Sequence, residues 1–183
     1  AYGCLPGYSA QQCDAEQAYT QALLKGTAAW VRLPRDQWPQ KWIDDGMHDP
    51  VVPLRLALYG HPDSGGHWER HCDSVLQSKG WMPLPGRRSE CETYLIVYVD
   101  DMKLAGPKHL MEQTWKDLGR KIKLETPKGD SQEESEDGSS QMTFLGCTLR
   151  RKKRLVRDRW ITTMEYDVED SLRKCLRKYE EVV

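Results

Sequence analysis

The sequence predicts an α+β fold, in which an antiparallel sheet has helices packed on one face. Residues 94–99 are apolar, β-branched or aromatic, and a second short apolar segment, residues 102–105, follows two acids; this pattern predicts a β-hairpin. Residues 63–80 and 107–122 instead place apolar side chains at helical spacing. Because strands and helices alternate along the chain, we expect the helices to cover the sheet.

The first half of the chain is predicted to contain one strand and one well-defined helix. Residues 13–24 suit a short strand that runs into a turn and a helix. Residues 30–53 contain three tryptophans and four prolines, which indicates mostly extended connections. Asp63 or Ser64 then caps a helix that ends near Gly80, a residue type that commonly follows a helix.

The second half continues with the hairpin, a helix, a strand pair and a last helix. Pro107 suits the first turn of a helix. Residues 142–149 and 159–164 are predicted to form a second strand pair, joined through a basic run. Asp167 begins a terminal helix with apolar residues on one face.

Charge is unevenly distributed along the chain. Lys and Arg total 27 and Asp and Glu 28, so net charge gives no argument for nucleic acid. Residues 125–137 are acidic and are interpreted as part of a disordered insert, whereas residues 150–159 are strongly basic. No apolar run approaches the roughly 20 residues of a membrane span. The six cysteines form no C-x-x-C pair, so we expect reduced thiols in an intracellular protein of the cytoplasm or nucleus.

Two adjacent acids, Asp100 and Asp101, are expected at the hairpin tip. Mg²⁺ takes oxygen ligands and is commonly bound by one or two carboxylates together with substrate phosphates. Since adjacent residues of an extended strand point to opposite faces, Asp100 would be the principal ligand and Asp101 a weaker one. Asp14 is the candidate for the third acid of a two-metal site. The alternative is an ordinary solvated turn.

Two motifs resemble known polymerase elements. Residues 98–101 (Tyr-Val-Asp-Asp) match the Tyr-x-Asp-Asp hairpin of reverse transcriptases. Residues 56–60 (Leu-Ala-Leu-Tyr-Gly), with Trp68 eight positions after the glycine, resemble the Ala-Leu-Tyr-Gly element that copia-type enzymes place before that hairpin. The second match is much more specific than the first.

Further matches occur in the order of the same family. Asp14, followed five residues later by Tyr19, resembles its first motif, and residues 144–146 (Phe-Leu-Gly) resemble the strand after the palm. Residues 164–176 are similar to its Gln-x-x-Tyr-Ile helix. The chain therefore resembles the palm region of a copia-type retrotransposon reverse transcriptase, an RNA-directed DNA polymerase.

The resemblance implies a two-metal nucleotidyl transfer. A primer 3′-hydroxyl would attack the α-phosphate of a deoxynucleoside triphosphate, with two Mg²⁺ ions, or alternatively Mn²⁺, as cofactors. Tyr19 would occupy the position that excludes a 2′-hydroxyl, and it is equally compatible with a core aromatic. The implied catalytic and metal-binding residues are Asp14, Asp100 and Asp101, and the implied nucleotide-binding residues are Ala15, Tyr19, Tyr59 and Gly60.

The resemblance also implies a domain organisation and partners. Residues 1–149 would form a polymerase-palm-like sheet with most of the fingers missing and an acidic insert at 125–141. Residues 150–183 would form a basic β-hairpin and the start of a thumb helix. The partners would be an RNA or DNA template with its primer and, in cis, the fingers, ribonuclease H and integrase domains of a polyprotein, but no membrane. The candidate nucleic-acid contacts are Arg150, Arg151, Lys152 and Lys153, for which a solvated hairpin loop is the alternative.

The match departs from the family after Gly60. Asp63 and Gly66 stand where the family usually has Gln and Arg, and we expect Asp63 to cap the following helix. We expect a fragment or a decayed copy with little processive synthesis in isolation. Two other hypotheses are a non-catalytic remnant that binds nucleic acid or protein, and another palm-type nucleotidyl transferase such as a cyclase.

Overall fold

The computed structural model describes residues 2–83, 92–129 and 140–182. The chain divides into two compact units, one made of residues 1–16 and 82–183 and the other of residues 17–81. The strands in the described residues are β1 (Tyr8–Asp14), β2 (Trp30–Arg32), β3 (Val51–Pro53), β4 (Tyr94–Tyr98), β5 (Asp101–Pro107), β6 (Lys128–Gly129), β7 (Ser140–Phe144), β8 (Cys147–Val156) and β9 (Arg159–Asp167). The α-helices there are α1 (Gln40–Asp44), α2 (Ser64–Ser78), α3 (Lys108–Gly119) and α4 (Glu169–Glu180). The expected α+β class is confirmed.

A four-stranded sheet forms the centre of the first unit. Its strand order is β4-β5-β1-β6, and each neighbouring pair is antiparallel. Strand β1 pairs with β5 along its whole length, from Tyr8 opposite Pro107 to Asp14 opposite Asp101. Alternate residues of β5 point into the core, where Met102 and Leu104 are fully buried. The sheet thus has one face in the core.

Helix α3 packs against this sheet, as the sequence predicts. Met111, Trp115 and Leu118 are buried at the spacing of one helical face. The indole N–H of Trp115 donates a 2.8 Å hydrogen bond to the side-chain oxygen of Gln11 in β1. Burying an indole requires a partner for its N–H, and this bond fixes where the helix sits on the sheet.

A second, three-stranded sheet with the order β7-β8-β9 lies in the same unit. Two expectations about it are wrong. Residues 142–149 do not form one strand, because Leu145 and Gly146 both have positive φ and make a two-residue turn between β7 and β8. Most of the basic run is not a connection between strands but part of β8, and the run continues through a second two-residue turn at Arg157 and Asp158 into β9.

The acidic insert falls largely outside the described residues. Its ends are described, and they belong to the two sheets: residues 128–129 form β6, which pairs with Gln11 and Gln12 of β1, and residues 140–141 begin β7. Residues 130–139 lie between these ends.

The second unit is built around helix α2. Trp68 and Cys72 are buried on one face of this helix, which confirms the expected helix over this part of the chain. Residues 30–53, expected to be mostly extended, contribute the short pair β2 and β3, with a 3-10 helix (Arg35–Gln37) and the helix α1 between them. No helix in either unit, over the described residues, is long and apolar enough to cross a membrane.

Candidate active site

The acids of the predicted hairpin lie at one end of the four-stranded sheet. Strands β4 and β5 form the expected hairpin, with Tyr98 paired to Asp101 and the residues Val99 and Asp100 in the turn. Asp14, the last residue of β1, is the cross-strand neighbour of Asp101. Residues directly opposite in an antiparallel pair have Cβ atoms about 5 Å apart and point to the same face. The structure therefore brings together two acids that are far apart in the sequence.

Backbone hydrogen bonds hold this end of the sheet. The Ala15 N–H donates to the carbonyl of Asp100 at 2.7 Å, and the Glu125 N–H donates to the carbonyl of Asp14 at 2.9 Å. Ala15 is buried and forms a further bridge with Leu124. The hairpin tip is thus tied to the chain that follows β1, and the acids sit on a fixed backbone.

The turn residue Val99 has a strained backbone. Its φ is +55°, a left-handed conformation that is rare for a β-branched residue. A two-residue hairpin turn with positive φ at its first position usually has glycine there. Such strain costs on the order of 1–3 kcal/mol and persists only where surrounding contacts enforce it. The surrounding contacts therefore hold Val99 in a backbone conformation that is unfavourable for valine.

Electrostatic repulsion accompanies this geometry. Burial raises the pKa of Asp101 above its usual value, and the charges of Asp14 and Asp100 and a side-chain hydrogen bond with Asp14 raise it further. When two carboxyl groups are in contact, the negative charge on one makes ionisation of the other less favourable. This end of the sheet therefore favours a bound proton or cation.

The two hairpin acids occupy different positions in the fold. Asp101 is the acid that faces Asp14, whereas Asp100 belongs to the turn and contributes its carbonyl to the bond with Ala15. Alternation along a strand does not apply across a turn, and the expected ranking of the two acids as metal ligands stays a prediction. No set of three His, Cys, Asp or Glu side chains in residues 2–83, 92–129 and 140–182 is arranged to hold a metal ion.

The predicted nucleotide-binding residues of the second unit form an aromatic pair. The rings of Tyr19 and Tyr59 have centroids 4.5 Å apart and are tilted by 37°. Gly60 follows with φ of +93°, a conformation that favours glycine. Ala22 and Ala57, both buried, are joined by a 2.9 Å backbone hydrogen bond beside this pair.

Ser64 holds the loop that carries Tyr59, a role that sequence reasoning missed. Its hydroxyl donates to the carbonyl of Leu58 at 2.7 Å and accepts from the N–H of the same residue at 3.0 Å. Ser64 is 1% exposed. One side chain thus satisfies both backbone groups of the residue before Tyr59. In the sequence, a serine at the start of a helix indicates a helix-capping residue. It does not indicate that the side chain binds the backbone of the preceding loop.

Asp63 does not cap helix α2 with its side chain. It stands at the N-cap position, but its carboxylate makes no capping hydrogen bond. Its backbone N–H donates to the ring Nδ1 of His61 at 3.2 Å. Because Asp63 has an α-helical backbone, with φ −91° and ψ −1°, it lacks the extended conformation typical of a capping residue.

The basic run is partly neutralised by cross-strand acids. Arg150 pairs with Asp167 at 2.7 Å, while Lys152 and Arg154 both pair with Glu165, at 2.9 and 2.7 Å. The pKa of Glu165 is lowered, first by the hydrogen bond from Lys152, and that of Asp167 by the backbone N–H of Glu169 and by Arg150.

Comparisons with known proteins give structural neighbours only. The sequence matches no protein-family model and no curated protein. Two telomerase structures are similar in fold. One is telomerase from Candida albicans in complex with a TWJ fragment of telomeric RNA, with a TM-score of 0.44 and 10% identity over 80% of this chain. The other is apo telomerase from Candida tropicalis truncated from its C-terminal domain, with a TM-score of 0.40 and 12% identity over 78% of this chain.

The chain spans about a third of the telomerase chains it matches, 30% of one and 34% of the other. Identities of 10% and 12% are too low to infer that this chain has the activity of those proteins.

Proposed function

We propose that this chain is the palm portion of a copia-type retrotransposon reverse transcriptase, an RNA-directed DNA polymerase that adds nucleotides to a primer 3′-hydroxyl. The observation that supports the proposal most is the pairing of Asp14 with Asp101 beside the Val99-Asp100 turn. A Tyr-x-Asp-Asp hairpin is a short motif, but two-metal chemistry also needs an acid from another strand.

The proposal assigns metal binding to Asp14, Asp100 and Asp101, with two Mg²⁺ ions or alternatively Mn²⁺. When bound, the ions would neutralise the triphosphate and lower the pKa of the primer hydroxyl. The residues of this chain would contribute carboxylate oxygens from a backbone that hydrogen bonds hold in place, and because no three of the described acids are already arranged to hold a metal ion, their side chains would have to rearrange on binding. The contact between Asp14 and Asp101 fits this role, since two like charges held together favour a cation.

The proposal assigns nucleotide binding to Ala15, Tyr19, Tyr59 and Gly60. The ring pair of Tyr19 and Tyr59 supports it because two aromatic rings in contact offer apolar ring surface of the kind that packs against a sugar or base. At Gly60 the absence of a side chain allows close backbone approach to a ligand.

The proposed partners are an RNA or DNA template with its primer and deoxynucleoside triphosphates. Arg150, Arg151, Lys152 and Lys153 are proposed as weak contacts to nucleic acid. The fingers, ribonuclease H and integrase domains would act in cis in a longer polyprotein.

The test measures divalent-metal binding by the full 183-residue chain. Mn²⁺, which electron paramagnetic resonance detects directly, is titrated into the wild type and the Asp101→Asn variant. Asp73→Asn, which removes an exposed carboxylate from α2, is the matched control. We expect the wild type and the control to bind Mn²⁺ and Asp101→Asn to lose most of the affinity. Equal binding by all three proteins would refute the metal site.

A primer-extension assay separates the polymerase from a non-catalytic remnant. We expect the chain to extend a primed template slowly with Mg²⁺, and Asp100→Asn to abolish extension. A chain that binds the primed template but does not extend it, and binds equally well with Asn at residue 100, would favour the remnant.

A further inference from the structure

Strand β9 stands at one edge of the three-stranded sheet. In the order β7-β8-β9 it pairs with β8 on one side, and no strand of the described residues pairs with its other side. All nine residues of β9 pair with β8 in one continuous register, without a bulge. Residues 159–167 contain no proline, and residues 160–164 carry no charge. Edge strands of monomeric proteins are usually short, bulged, charged or interrupted by proline, so this long regular edge is suited to pairing with another strand.

The neighbouring elements leave this edge accessible. Helix α4 follows β9, but it begins beside the β7–β8 turn, where a side-chain carbon at Gly146 would lie 3.0 Å from the hydroxyl of Ser171. The 3-10 helix Tyr2–Cys4 approaches β9, yet Trp160 stays 72% exposed and Tyr166 65% exposed. Two large rings so open to water would gain apolar burial if another strand covered them.

The β8–β9 turn determines which backbone groups of β9 point outward. Its two residues, Arg157 and Asp158, both have positive φ, so the pair that closes the turn, Val156 and Arg159, is a hydrogen-bonded pair. Hydrogen-bonded and non-hydrogen-bonded pairs alternate along an antiparallel ladder. The backbone N–H and C=O groups that point away from β8, toward the open edge, therefore belong to residues 160, 162, 164 and 166.

The sequence of β9 is complementary to itself in the antiparallel direction. When two copies of β9 are aligned antiparallel about Thr163, every residue has a partner, and the residues with outward backbone groups lie opposite each other. Trp160 then lies opposite Tyr166 of the second copy, and Arg159 lies opposite Asp167 of the second copy. Two-fold symmetry makes each pair occur twice. Aromatic pairs and opposite charges are cross-strand pairs that stabilise a sheet.

Other antiparallel registers satisfy fewer of these groups. A shift by one residue places outward backbone groups opposite inward ones. A shift by two residues leaves two residues of each strand unpaired and separates Trp160 from Tyr166. The register about Thr163 also preserves the ion pairs within each hairpin, because Asp167 would lie between Arg150 of its own chain and Arg159 of the second copy.

We propose that β9 pairs with β9 of a second copy of this chain, antiparallel and centred on Thr163, so that two three-stranded sheets join into one sheet. The contact uses the β9 edge of both copies, so association stops at a dimer. Neither a metal ion nor nucleic acid takes part, and the dimer does not depend on the proposed polymerase function.

The first test measures association of the full chain by sedimentation velocity over a range of concentrations. We expect the wild type to show a monomer–dimer equilibrium. Thr162→Pro removes an outward N–H, which in the dimer donates to Met164 of the second copy, and it leaves the bonds to β8 in place. Because each dimer loses two such bonds, the dissociation constant should rise roughly 5- to 150-fold.

Thr143→Pro is the matched control for this substitution. Thr143 lies in β7, at the opposite edge of the same sheet, and its carbonyl points away from β8, where it accepts a 2.9 Å hydrogen bond from Gln12. This variant should associate like the wild type. Arg159→Asp is a second variant, which keeps the β9 backbone and guards against a misfolded proline variant. It places two acids opposite each other at both ends of the contact and should also weaken association.

Disulfide cross-linking tests the register. In the dimer the two Thr163 residues form a non-hydrogen-bonded pair with Cα atoms about 4.5 Å apart, which is within the range of a disulfide. Thr163→Cys should therefore form a disulfide between the two copies of residue 163, identified by mass spectrometry of non-reduced peptides because natural cysteines are also present. Ile161→Cys, on the same face of β9, is the control: its two copies would be about 14 Å apart and should not cross-link.

The inference is overturned if the wild type sediments as a monomer up to its solubility limit, or if Thr162→Pro and Thr143→Pro associate equally. Cross-linking of Ile161→Cys as readily as Thr163→Cys would overturn the register. Asp101→Asn, which tests the metal site, should dimerise normally, so failure of the polymerase proposal and failure of the dimer are distinguishable.

Discussion

Ser64→Ala should destabilise the second unit by about 1–2 kcal/mol. The change removes two hydrogen bonds, at 2.7 and 3.0 Å, and each bond contributes on the order of 1 kcal/mol. Leu58 is 42% exposed, so water can reach part of its backbone and reduce the loss. Alanine in the first turn of α2 also recovers a few tenths of a kcal/mol in helix propensity. For a chain of this size, we expect a fall in melting temperature of about 2–8 °C.

The assay is thermal unfolding followed by circular dichroism, together with amide hydrogen exchange at Leu58. Ser74→Ala is the matched control because Ser74 is exposed on the same helix. We expect the control to melt at or slightly above the wild-type temperature and the Leu58 amide to exchange faster only in Ser64→Ala. Equal melting temperatures and equal exchange in the two variants would show that the hydrogen bonds between Ser64 and Leu58 contribute nothing to stability.

Three further substitutions test other parts of the fold. Val99→Gly should raise the free energy of unfolding in urea by about 1 kcal/mol, because the relief of the strained φ exceeds the entropy cost of glycine. A lower free energy of unfolding would show that the backbone at Val99 is not strained. Gly106→Ala should destabilise by about 1–3 kcal/mol in the same assay, since its Cβ would meet the backbone oxygen of Glu92 at 3.0 Å; a neutral result would show that this approach can relax. Asp167→Asn should destabilise at neutral pH, because the backbone N–H of Glu169 and then Arg150 lower the pKa of Asp167 and so favour its charged form. The difference from the wild type should shrink as pH falls through that pKa; melting curves at neutral and acidic pH that show a constant difference would contradict the assignment.

The hairpin and α3 could be predicted because local sequence determines them. Residues 94–99 have strand composition over a short length, and Met111, Trp115 and Leu118 repeat at helical spacing. The pairing of Asp14 with Asp101 could not be derived in this way, since the hydrophobic pattern of β1 does not say which strand it joins. It was expected only because of the resemblance to a polymerase motif.

The second sheet was mispredicted for a physical reason. The turn at Leu145 and Gly146 has only two residues, and one of them is an apolar residue with positive φ. Composition gives no turn signal at such a residue, so two strands were merged into one. The basic run was expected to connect two strands of a hairpin, whereas residues 150–156 are themselves part of strand β8, where acids of β9 pair with three of its cations.

The position of β1 determines when the carboxylates can meet during folding. The β4–β5 hairpin joins neighbouring segments and can close quickly, but β1 and β5 must meet across about half of the chain, since residue 14 pairs with residue 101. Contacts of such long sequence separation have a high loop-closure entropy and form slowly. Before β1 pairs with β5, the hairpin already carries Asp100 and Asp101, and Asp14 reaches them only when β1 joins the sheet, so the three carboxylates come together as the sheet is completed.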